Sequence, residues 1–425
     1  MKNLKKRRLL TLLLIGSAMS LTYCTKTDQV LDLNTPVVTE ETPTNQLVSI
    51  KVSTAPTIDG TVDASWANAT ILTSKTVVPS PGNGMFIGYI GKSYDVSLRS
   101  MYDNDYIYFL AEWNDPDASL ANAPWYFNPT THKWAQESTN PTFDVNGILT
   151  REPFNEDKFA FLWNISSVTF PTQSCYASCH MNTPTIDPLT GLTIPATSGN
   201  HFTNAANEKI DQWHIHLMKD VVSVGQGSDE YQDWNSGKIN ANGRHADGLI
   251  PPLYTNPTPT PGPTNNRQTI AITGDTTKVT IPRWVRFNVT NYNYVLAADT
   301  LAGSNNALLI TAIDANGILT LSDGSTIDPT TDTDYQRVGA GVGAKCFPGS
   351  IVSPMQGSRG DLTCSAVHNG TKWIMEWKRL LNTGDALLQD VDFSSLIDQP
   401  FGIGVFNKAN NQHAIKTDLM LTFKK

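Results

Sequence analysis

Apolar and polar side chains alternate with a period of two along several stretches of this chain. Residues 96–101 and 107–113 both alternate in this way, and the turn Asp103-Asn104-Asp105 separates them. Alternation on either side of an Asx-rich turn is typical of a β-hairpin, with one face of each strand buried. In the second strand the buried face would carry Ile107, Phe109, Ala111 and Trp113. The same pattern recurs in Lys158 to Trp163, Trp373 to Trp377, Phe401 to Phe406 and Ile415 to Phe423.

Segments with a helical period are scarce. The best short candidate for an amphipathic helix is Glu208 to Asp220. In the last strand, one face is expected to carry Ile415, Leu419, Leu421 and Phe423. The pattern therefore predicts an all-β fold, a single antiparallel β-sandwich with long loops and a few short helices.

The first 23 residues predict export. Five basic residues in the first eight positions precede an apolar run, Leu9 to Ile15, and small residues follow it. A charged segment followed by an apolar run too short to span a bilayer is typical of a secretory signal peptide, so we assign residues 1–23 to one.

The signal ends at Leu21-Thr22-Tyr23-Cys24, which resembles the bacterial lipobox. Cys24 is then the lipidation site, although Tyr23 departs from the small residue usual before that cysteine. The alternative is an ordinary signal peptide that happens to contain a cysteine. Residues 24–46 are rich in Thr, Pro and acidic residues and predict a lipid-anchored polar linker. Residues 47–425 form the folded domain, and the expected location is the periplasm or cell surface, most simply as an outer-membrane lipoprotein.

The charge balance argues against a nucleic-acid partner. The chain has 31 Lys and Arg against 39 Asp and Glu, and removal of the signal peptide would leave 26 against 39. A body this acidic repels phosphate backbones. The lipid anchor at Cys24 is the expected contact with a membrane.

The segment Cys175-Tyr176-Ala177-Ser178-Cys179-His180 carries the clearest chemical signal. Covalent attachment of c-type haem needs two thiols, one for each vinyl group, and a histidine beside the second thiol that reaches the iron. The usual spacing has two residues between the cysteines, and this chain has the rarer spacing of three. A small disulfide between Cys175 and Cys179 is an alternative in an oxidising compartment. A zinc site is another, but no second Cys or His pair stands at zinc-finger spacing.

A second cluster, residues 211–218, contains Trp213, His214, His216 and Met218. The two histidines and the methionine are candidate iron ligands, and the tryptophan could lie on a porphyrin face. On a strand, His214 and His216 point the same way, whereas on a helix they diverge.

The chain resembles the haem-binding gamma subunits of ethylbenzene dehydrogenase and dimethylsulfide dehydrogenase, from about residue 50 to the end. The motifs that carry the resemblance occur in order along the body and include Pro56 to Asp63 with Trp66, Val96 to Asp103, Ile107 to Phe109, Trp113 to Pro116, Asp157 to Trp163, Asp211 to His214, Gly243 to Gly248, Trp373 to Trp377, Arg379 to Asp385 and Phe401 to Phe406.

The resemblance implies one β-sandwich that holds one haem and exchanges electrons with a redox partner, either a molybdenum oxidoreductase or another cytochrome. Those gamma subunits hold a b haem through a Met and a Lys, and the position of that Lys matches His216 here. The chain therefore resembles a c-type branch with one covalent haem c, His180 proximal and His216 distal, with His214 and Met218 as rivals for the distal position. A b haem is expected if the cysteines are not linked to it.

The resemblance also implies that Pro251 to Asn266 is a loop within the domain, although its proline density would suit a linker between domains. Cys346 and Cys364 are 18 residues apart and predict a structural disulfide, worth about 3 kcal/mol. A carbohydrate-binding sandwich is the rival function, because Ile58-Asp59-Gly60 and the aromatic strands also resemble a xylan-binding module. We find no nucleophile–base pattern or Walker-type loop, so the chain is not expected to be an enzyme.

Overall fold

The computed structural model describes residues 45–80, 86–179, 201–234, 243–250, 254, 262–286, 293–304, 306–337 and 345–425, and the backbone of 185–186 and 193–194. The predicted signal peptide, Cys24, almost all of the linker, and His180 lie outside these residues. Most of Pro251 to Asn266 does too. Within the described part of the chain, no helix is both long and apolar enough to cross a membrane.

Twelve of the described strands form the main sheet. They are β1 (Gln46–Lys51), β2 (Leu72–Val77), β3 (Ser93–Tyr102), β4 (Tyr106–Asn114), β9 (Lys158–Asn164), β12 (Ile210–His216), β13 (Gln226–Gln232), β14 (Arg244–Ala246), β24 (Leu362–His368), β25 (Lys372–Leu380), β26 (Gln399–Phe406) and β27 (Ala414–Lys424).

The remaining strands pair in small sheets. They are β5 (Trp125–Asn128), β6 (Lys133–Gln136), β7 (Thr142–Phe143), β8 (Leu149–Arg151), β10 (Thr185–Ile186), β11 (Thr193–Ile194), β15 (Thr264–Asn265), β16 (Gln268–Ala271), β17 (Lys278–Ile281), β18 (Trp284–Arg286), β19 (Val295–Leu296), β20 (Ala307–Ile313), β21 (Leu319–Leu321), β22 (Thr326–Ile327) and β23 (Ser350–Val352). The helices are α1 (Phe170–Gln173), the 3₁₀ turns Ala64–Asn68, Ser174–Ala177, Ala297–Thr300, Thr333–Tyr335 and Gly357–Gly360, and a π-helix at Leu217–Val222.

The main sheet folds into two layers and closes on itself. Its order is β27-β2-β3-β4-β25-β24-β13-β12-β9-β26, and β26 pairs again with β27. Neighbouring strands of this ring are antiparallel, whereas β1 is added in parallel to β27 and β3. The predicted all-β sandwich with few helices is confirmed. Closure leaves few free strand edges, which protects a sheet from pairing with other chains.

The β3–β4 hairpin forms as predicted. Asp103 Oδ1 accepts hydrogen bonds from the N–H groups of Asp105 and Tyr106, both at 2.8 Å, and so fixes the turn. The alternating apolar residues of β4 then point inward, and Phe109 is fully buried.

The two layers enclose an aromatic core. Strands β4, β9, β12, β25 and β26 contribute nine large aromatic side chains to it, all at most 2% exposed: Phe109, Trp113, Phe159, Phe161, Trp163, Trp213, Trp373, Trp377 and Phe401. Burial of this much apolar surface is the main source of the fold's stability.

A second hydrophobic cluster lies outside this core. It is built from the small sheets, including Phe127, Trp134, Ile281, Ile310 and Phe347. Sequence patterning did not indicate this second cluster, because its strands are short.

Two local predictions are wrong. Glu208 to Asp220 is a strand, β12, followed by a π-helix, because its register with β9 buries alternate residues on the core side. Ile415 does not share a face with Leu419, because the register between β26 and β27 shifts and Asp418 takes a positive φ of 62°. Ile415 therefore lies on the outer face of the sheet, opposite Gly404.

Candidate functional site

The cysteine segment lies across the outer face of β26. Helix α1 and the following 3₁₀ turn are anchored by Phe170 and Ala177, which pack with Ile210 in a small hydrophobic cluster. A Cβ added to Gly402 would stand 2.7 Å from Ser174 Oγ, so glycine at this position lets the segment sit against the strand. The segment is therefore held by packing on the sheet.

Cys175 and Cys179 face the same cleft and are not joined in a disulfide. The N–H of Cys179 donates to the carbonyl of Cys175 at 3.0 Å, which closes one helical turn between them. Burial, reinforced by the neighbouring Cys179, raises the pKa of the Cys175 thiol. The Cys175 side chain is thus a protonated thiol, and Cys179 lies on the same side of the segment. His180, the predicted proximal ligand, follows directly in sequence and lies outside the described residues.

The cleft lies between the cysteine segment and the outer face of β9, β12 and β26. Its cavity volume is about 110 Å³, and the cleft opens to solvent at its mouth. Small residues form part of its floor, namely Ala160, Gly402 and Gly404. Phe86 and Phe406 add apolar walls. Such a floor could accept a flat apolar ring system.

His214 and His216 lie side by side on the outer face of β12. Their ring centroids are 4.4 Å apart, as expected for residues two apart on a strand. They line a recess of about 160 Å³ next to the cleft. His201 and His413 line both the recess and the cleft. The outer face of the sheet therefore collects four imidazoles beside two thiols.

His216 is oriented by a buried carboxylate. Its Nδ1 lies 3.0 Å from Glu156 Oε1, and Glu156 also accepts hydrogen bonds from the N–H groups of Met218 and Lys219 at 3.0 and 2.9 Å. Burial lowers the pKa of His216 to about 3, so the imidazole is neutral at physiological pH. A neutral imidazole with Nδ1 bound to a carboxylate presents Nε2 to a metal, the usual arrangement of ligating histidines.

His214 is more deeply buried, at 6% exposure. Its Nδ1 lies 3.8 Å from Glu230 Oε1, which is beyond hydrogen-bond distance. Burial lowers the pKa of His214, so this imidazole is also neutral.

The structure does not bring Trp213 or Met218 to the cleft. Trp213 points to the opposite face of β12, where it packs against Trp163 at 5.1 Å between ring centroids. The thickness of the strand separates it from the cleft, so it cannot stack there on a porphyrin. Met218 is fully buried against Tyr294 and Val352 in another cluster.

The predicted Cys346–Cys364 disulfide is absent from the structure, in which both residues are free thiols. Cys364 is 3% exposed on the core face of β24, opposite Trp377. Cys346 instead lies close to Arg337, beside the second hydrophobic cluster. The two thiols belong to different packing environments, which is why spacing alone did not predict their relation.

Sequence reasoning missed two histidines of the site. His201 pairs by a backbone bridge with Cys179, so it closes the long loop that begins at the cysteine segment. His413 precedes β27, and its ring stacks on Phe406 at 4.5 Å between centroids. No motif marks either residue, and only strand pairing brings them to the cleft.

The donor set of the cleft fits haem better than a single ion. Among the described residues, three aspartates elsewhere are the one group of His, Cys, Asp and Glu close enough to hold one metal ion, so the thiols and imidazoles of the cleft do not converge on a point. They are instead spread around a space with an apolar floor. Two thiols, imidazoles and an apolar floor fit the thioether bonds, the axial ligand and the flat ring of a covalently bound haem.

The structural comparisons return carbohydrate-binding modules. A family 9 carbohydrate-binding module from Caldicellulosiruptor kristjanssonii in complex with glucose is 7% identical, with 89% of this chain and 95% of that chain covered and a TM-score of 0.27. The same kind of module in complex with cellotriose is 8% identical, with 89% and 93% covered and a TM-score of 0.26. The comparison with curated proteins gives no match.

The family comparison agrees with the resemblance seen in the motifs. The model described as ethylbenzene dehydrogenase matches residues 63–417, which include every described residue of the cleft. The chain therefore belongs to the ethylbenzene dehydrogenase family.

Proposed function

We propose that this protein is an exported electron-transfer lipoprotein that binds one haem c through Cys175 and Cys179. The observation that carries the proposal is the cleft with its adjoining recess: Cys175, Cys179, His201 and His413 line the cleft around an apolar floor, and His214 and His216 line the recess beside it. Membership of a redox-related family supports it. Each thiol would add across one vinyl group of the haem, which forms two thioether bonds without a net loss of electrons.

His180 is the proposed proximal ligand and His216 the distal one. We assign the distal position to His216 because the contact of its Nδ1 with Glu156 fixes the imidazole ring and leaves Nε2 available to the iron. His413 and His201 are the rivals that the cleft itself supplies. Two histidine ligands would leave the iron without an open coordination position, which suits electron transfer rather than catalysis.

A haem held by Cys175 and Cys179 would supply one-electron chemistry: it would accept an electron from a reduced partner protein and pass it to a second, oxidised partner. The partner would be a molybdenum oxidoreductase or another cytochrome. We propose that Cys24 carries the lipid anchor and that the protein faces the periplasm or the cell surface. No sugar ligand is needed to explain the thiols of the cleft.

Extraction tests covalent attachment. Protein matured with a c-type cytochrome system should be red and keep its colour after acid-acetone extraction. Cys175→Ala and Cys179→Ala should lower the retained haem, whereas Cys346→Ala, a thiol outside the cleft, should not. Colour that moves wholly into the solvent would assign a b haem, and a colourless wild type would reject haem.

Single variants test the distal ligand. His216→Ala should open the iron to carbon monoxide, whereas His214→Ala and Met218→Ala should leave the low-spin spectrum unchanged. If His413→Ala or His201→Ala opens the iron and His216→Ala does not, the ligand assignment moves to that residue.

A further inference from the structure

Five aspartates meet at one end of the sandwich interior, away from the cleft. Asp211 and Asp229 point inward from β12 and β13, and their backbones place them on the face opposite His214. Asp247, Asp361 and Asp390 come from three loops. Four of the five are at most 9% exposed, and Asp361 is half-buried.

One positive side chain, the guanidinium of Arg379, lies among these negatively charged carboxylates. Arg379 projects from β25 with no exposed surface, and its Nη1 lies 2.9 Å from Asp211 Oδ2, 3.4 Å from Asp229 Oδ2 and 3.6 Å from Asp390 Oδ1. Arg379 therefore compensates one carboxylate well and two partly. Asp247 and Asp361 have no ion pair among the described residues. Burial of uncompensated carboxylates is costly, so the cluster requires more positive charge.

The carboxylate oxygens also lack donors. In each of the five aspartates Oδ1 is buried and accepts no hydrogen bond from the described residues. The Oδ2 atoms are better satisfied. Ser358 Oγ lies 3.4 Å from Asp247 Oδ2 and 3.5 Å from Asp390 Oδ2, and the Thr383 hydroxyl donates to Asp390 Oδ2. Four of these unsatisfied oxygens belong to residues that are almost wholly buried, such as Asp229 and Asp247 at 0% and 1% exposure.

We propose that this cluster binds a divalent cation, Ca²⁺, through Asp211, Asp229 and Asp390, with Asp247 and Asp361 as flanking carboxylates. The oxygens of Asp211, Asp229 and Asp390 already lie within 4.8 Å of one another. An all-oxygen set of several carboxylates is the preference of Ca²⁺, and the absence of thiol or imidazole donors from the set disfavours zinc. The sequence motif Arg379 to Asp385 thereby gains a role that the haem cleft does not give it, because Arg379 pairs with all three aspartates.

The cation would act as a structural clamp. It would join β12 and β13 to the segment between β25 and β26 that carries Asp390. Strand β12 carries Asp211 on this side and His214 and His216 on the other. The clamp is independent of the haem proposal, because none of its ligands lines the cleft.

Shared protons are the rival explanation. Burial, reinforced by neighbouring carboxylates, raises the pKa of Asp229 and Asp247 well above the usual range. Protonated carboxyl pairs could then occupy the cluster without metal. A stability measurement with and without Ca²⁺ separates the two explanations.

The experiment uses the full-length protein after chelation with EGTA. Addition of Ca²⁺ in large excess over its Kd should raise the thermal midpoint by at least about 3 °C. Elemental analysis of the untreated protein should find about one calcium per chain. Mg²⁺ at the same concentration should give a smaller rise, because Mg²⁺ demands a stricter octahedral site.

Asp229→Asn tests the ligands. This variant should lose the Ca²⁺-dependent rise, and in EGTA it should unfold at or above the wild-type midpoint, because one repulsive charge is removed. Asp398→Asn, which changes an exposed aspartate outside the cluster, should keep the full rise. A wild type with no bound metal and no response to Ca²⁺ would overturn the proposal in favour of shared protons. So would an Asp229→Asn variant that responds as strongly as the wild type.

Discussion

The two faces of β12 are built for different purposes. On the core face, Trp213 and Ile215 have no exposed surface, and Trp213 lies among Phe161, Trp163 and Phe393 at ring distances of 5.1–6.2 Å. On the outer face, polar side chains point into a cleft and its adjoining recess.

The difference teaches where a β-sandwich can place a ligand. A face filled with interlocking aromatic rings leaves no room for another molecule. The opposite face is free to carry ligating groups because successive side chains alternate between the two faces. One strand thus contributes to stability and to the candidate site at once, and substitutions one residue apart should have different consequences.

The largest effect on stability is expected from Trp213→Ala. Removal of a fully buried tryptophan from the core should lower the free energy of unfolding by about 3–5 kcal/mol. The matched control is Gln212→Ala on the outer face, which loses a side-chain hydrogen bond to Gln232 worth about 1 kcal/mol. Chemical denaturation measures both, and equal losses would contradict the contrast between the faces.

Glu156→Ala should have an intermediate effect. The variant leaves the N–H groups of Met218 and Lys219 without their acceptor and removes the partner of His216, at a cost of about 1–3 kcal/mol. Denaturant unfolding of the haem-free protein isolates this structural part. A change below about 0.5 kcal/mol would mean that water replaces the carboxylate fully.

Gly404→Leu should separate stability from binding. A Cβ at this position makes ordinary contacts of 3.5–3.7 Å with His413, Phe406 and Ala160, so the backbone tolerates it. The rest of the leucine would extend into the cleft. We expect the free energy of unfolding to change by less than about 1 kcal/mol, while haem incorporation, read from the Soret absorbance per chain, falls several-fold. Gly404→Ala is the control and should keep most of the haem.

The smallest effect is expected from reduction of the protein. If Cys364 is a core thiol and Cys346 a separate one, a reductant should change the free energy of unfolding by less than about 0.5 kcal/mol. A disulfide between them would instead contribute about 3 kcal/mol. If both residues are free thiols, an alkylating reagent under denaturing conditions should label both without prior reduction, and mass spectrometry detects the labels.

The strands were predictable where the alternation was long. The β3–β4 hairpin and strands β9, β25 and β26 lie where the pattern placed them, because period-two burial is a local property of the chain. The segment 208–220 was misjudged because its polar and apolar residues fit both a helical period and a strand period. Its pairing with β9 made it a strand. Ile415 was misjudged because a register shift is invisible in an alternating pattern.

Some residues of the candidate site were also predictable from local sequence, and others were not. The cysteine motif and the pair His214 and His216 could be found from spacing, because their geometry depends on a few consecutive residues. His201 and His413 could not, since the sheet brings them to the cleft from distant segments.

By itself, the sequence determined the all-β class and the main strands, because these depend on neighbours a few positions apart, and it carries the cysteine motif on which the haem proposal rests. The tertiary structure decided the rest: the closure of the sheet, the gathering of imidazoles, the separation of Cys346 from Cys364, and the burial of five aspartates around Arg379. Arg379 and Asp211 are 168 residues apart and meet across the interior. Such contacts follow from the order in which strands pair, and that order minimises exposed apolar surface over the whole domain rather than within any one segment.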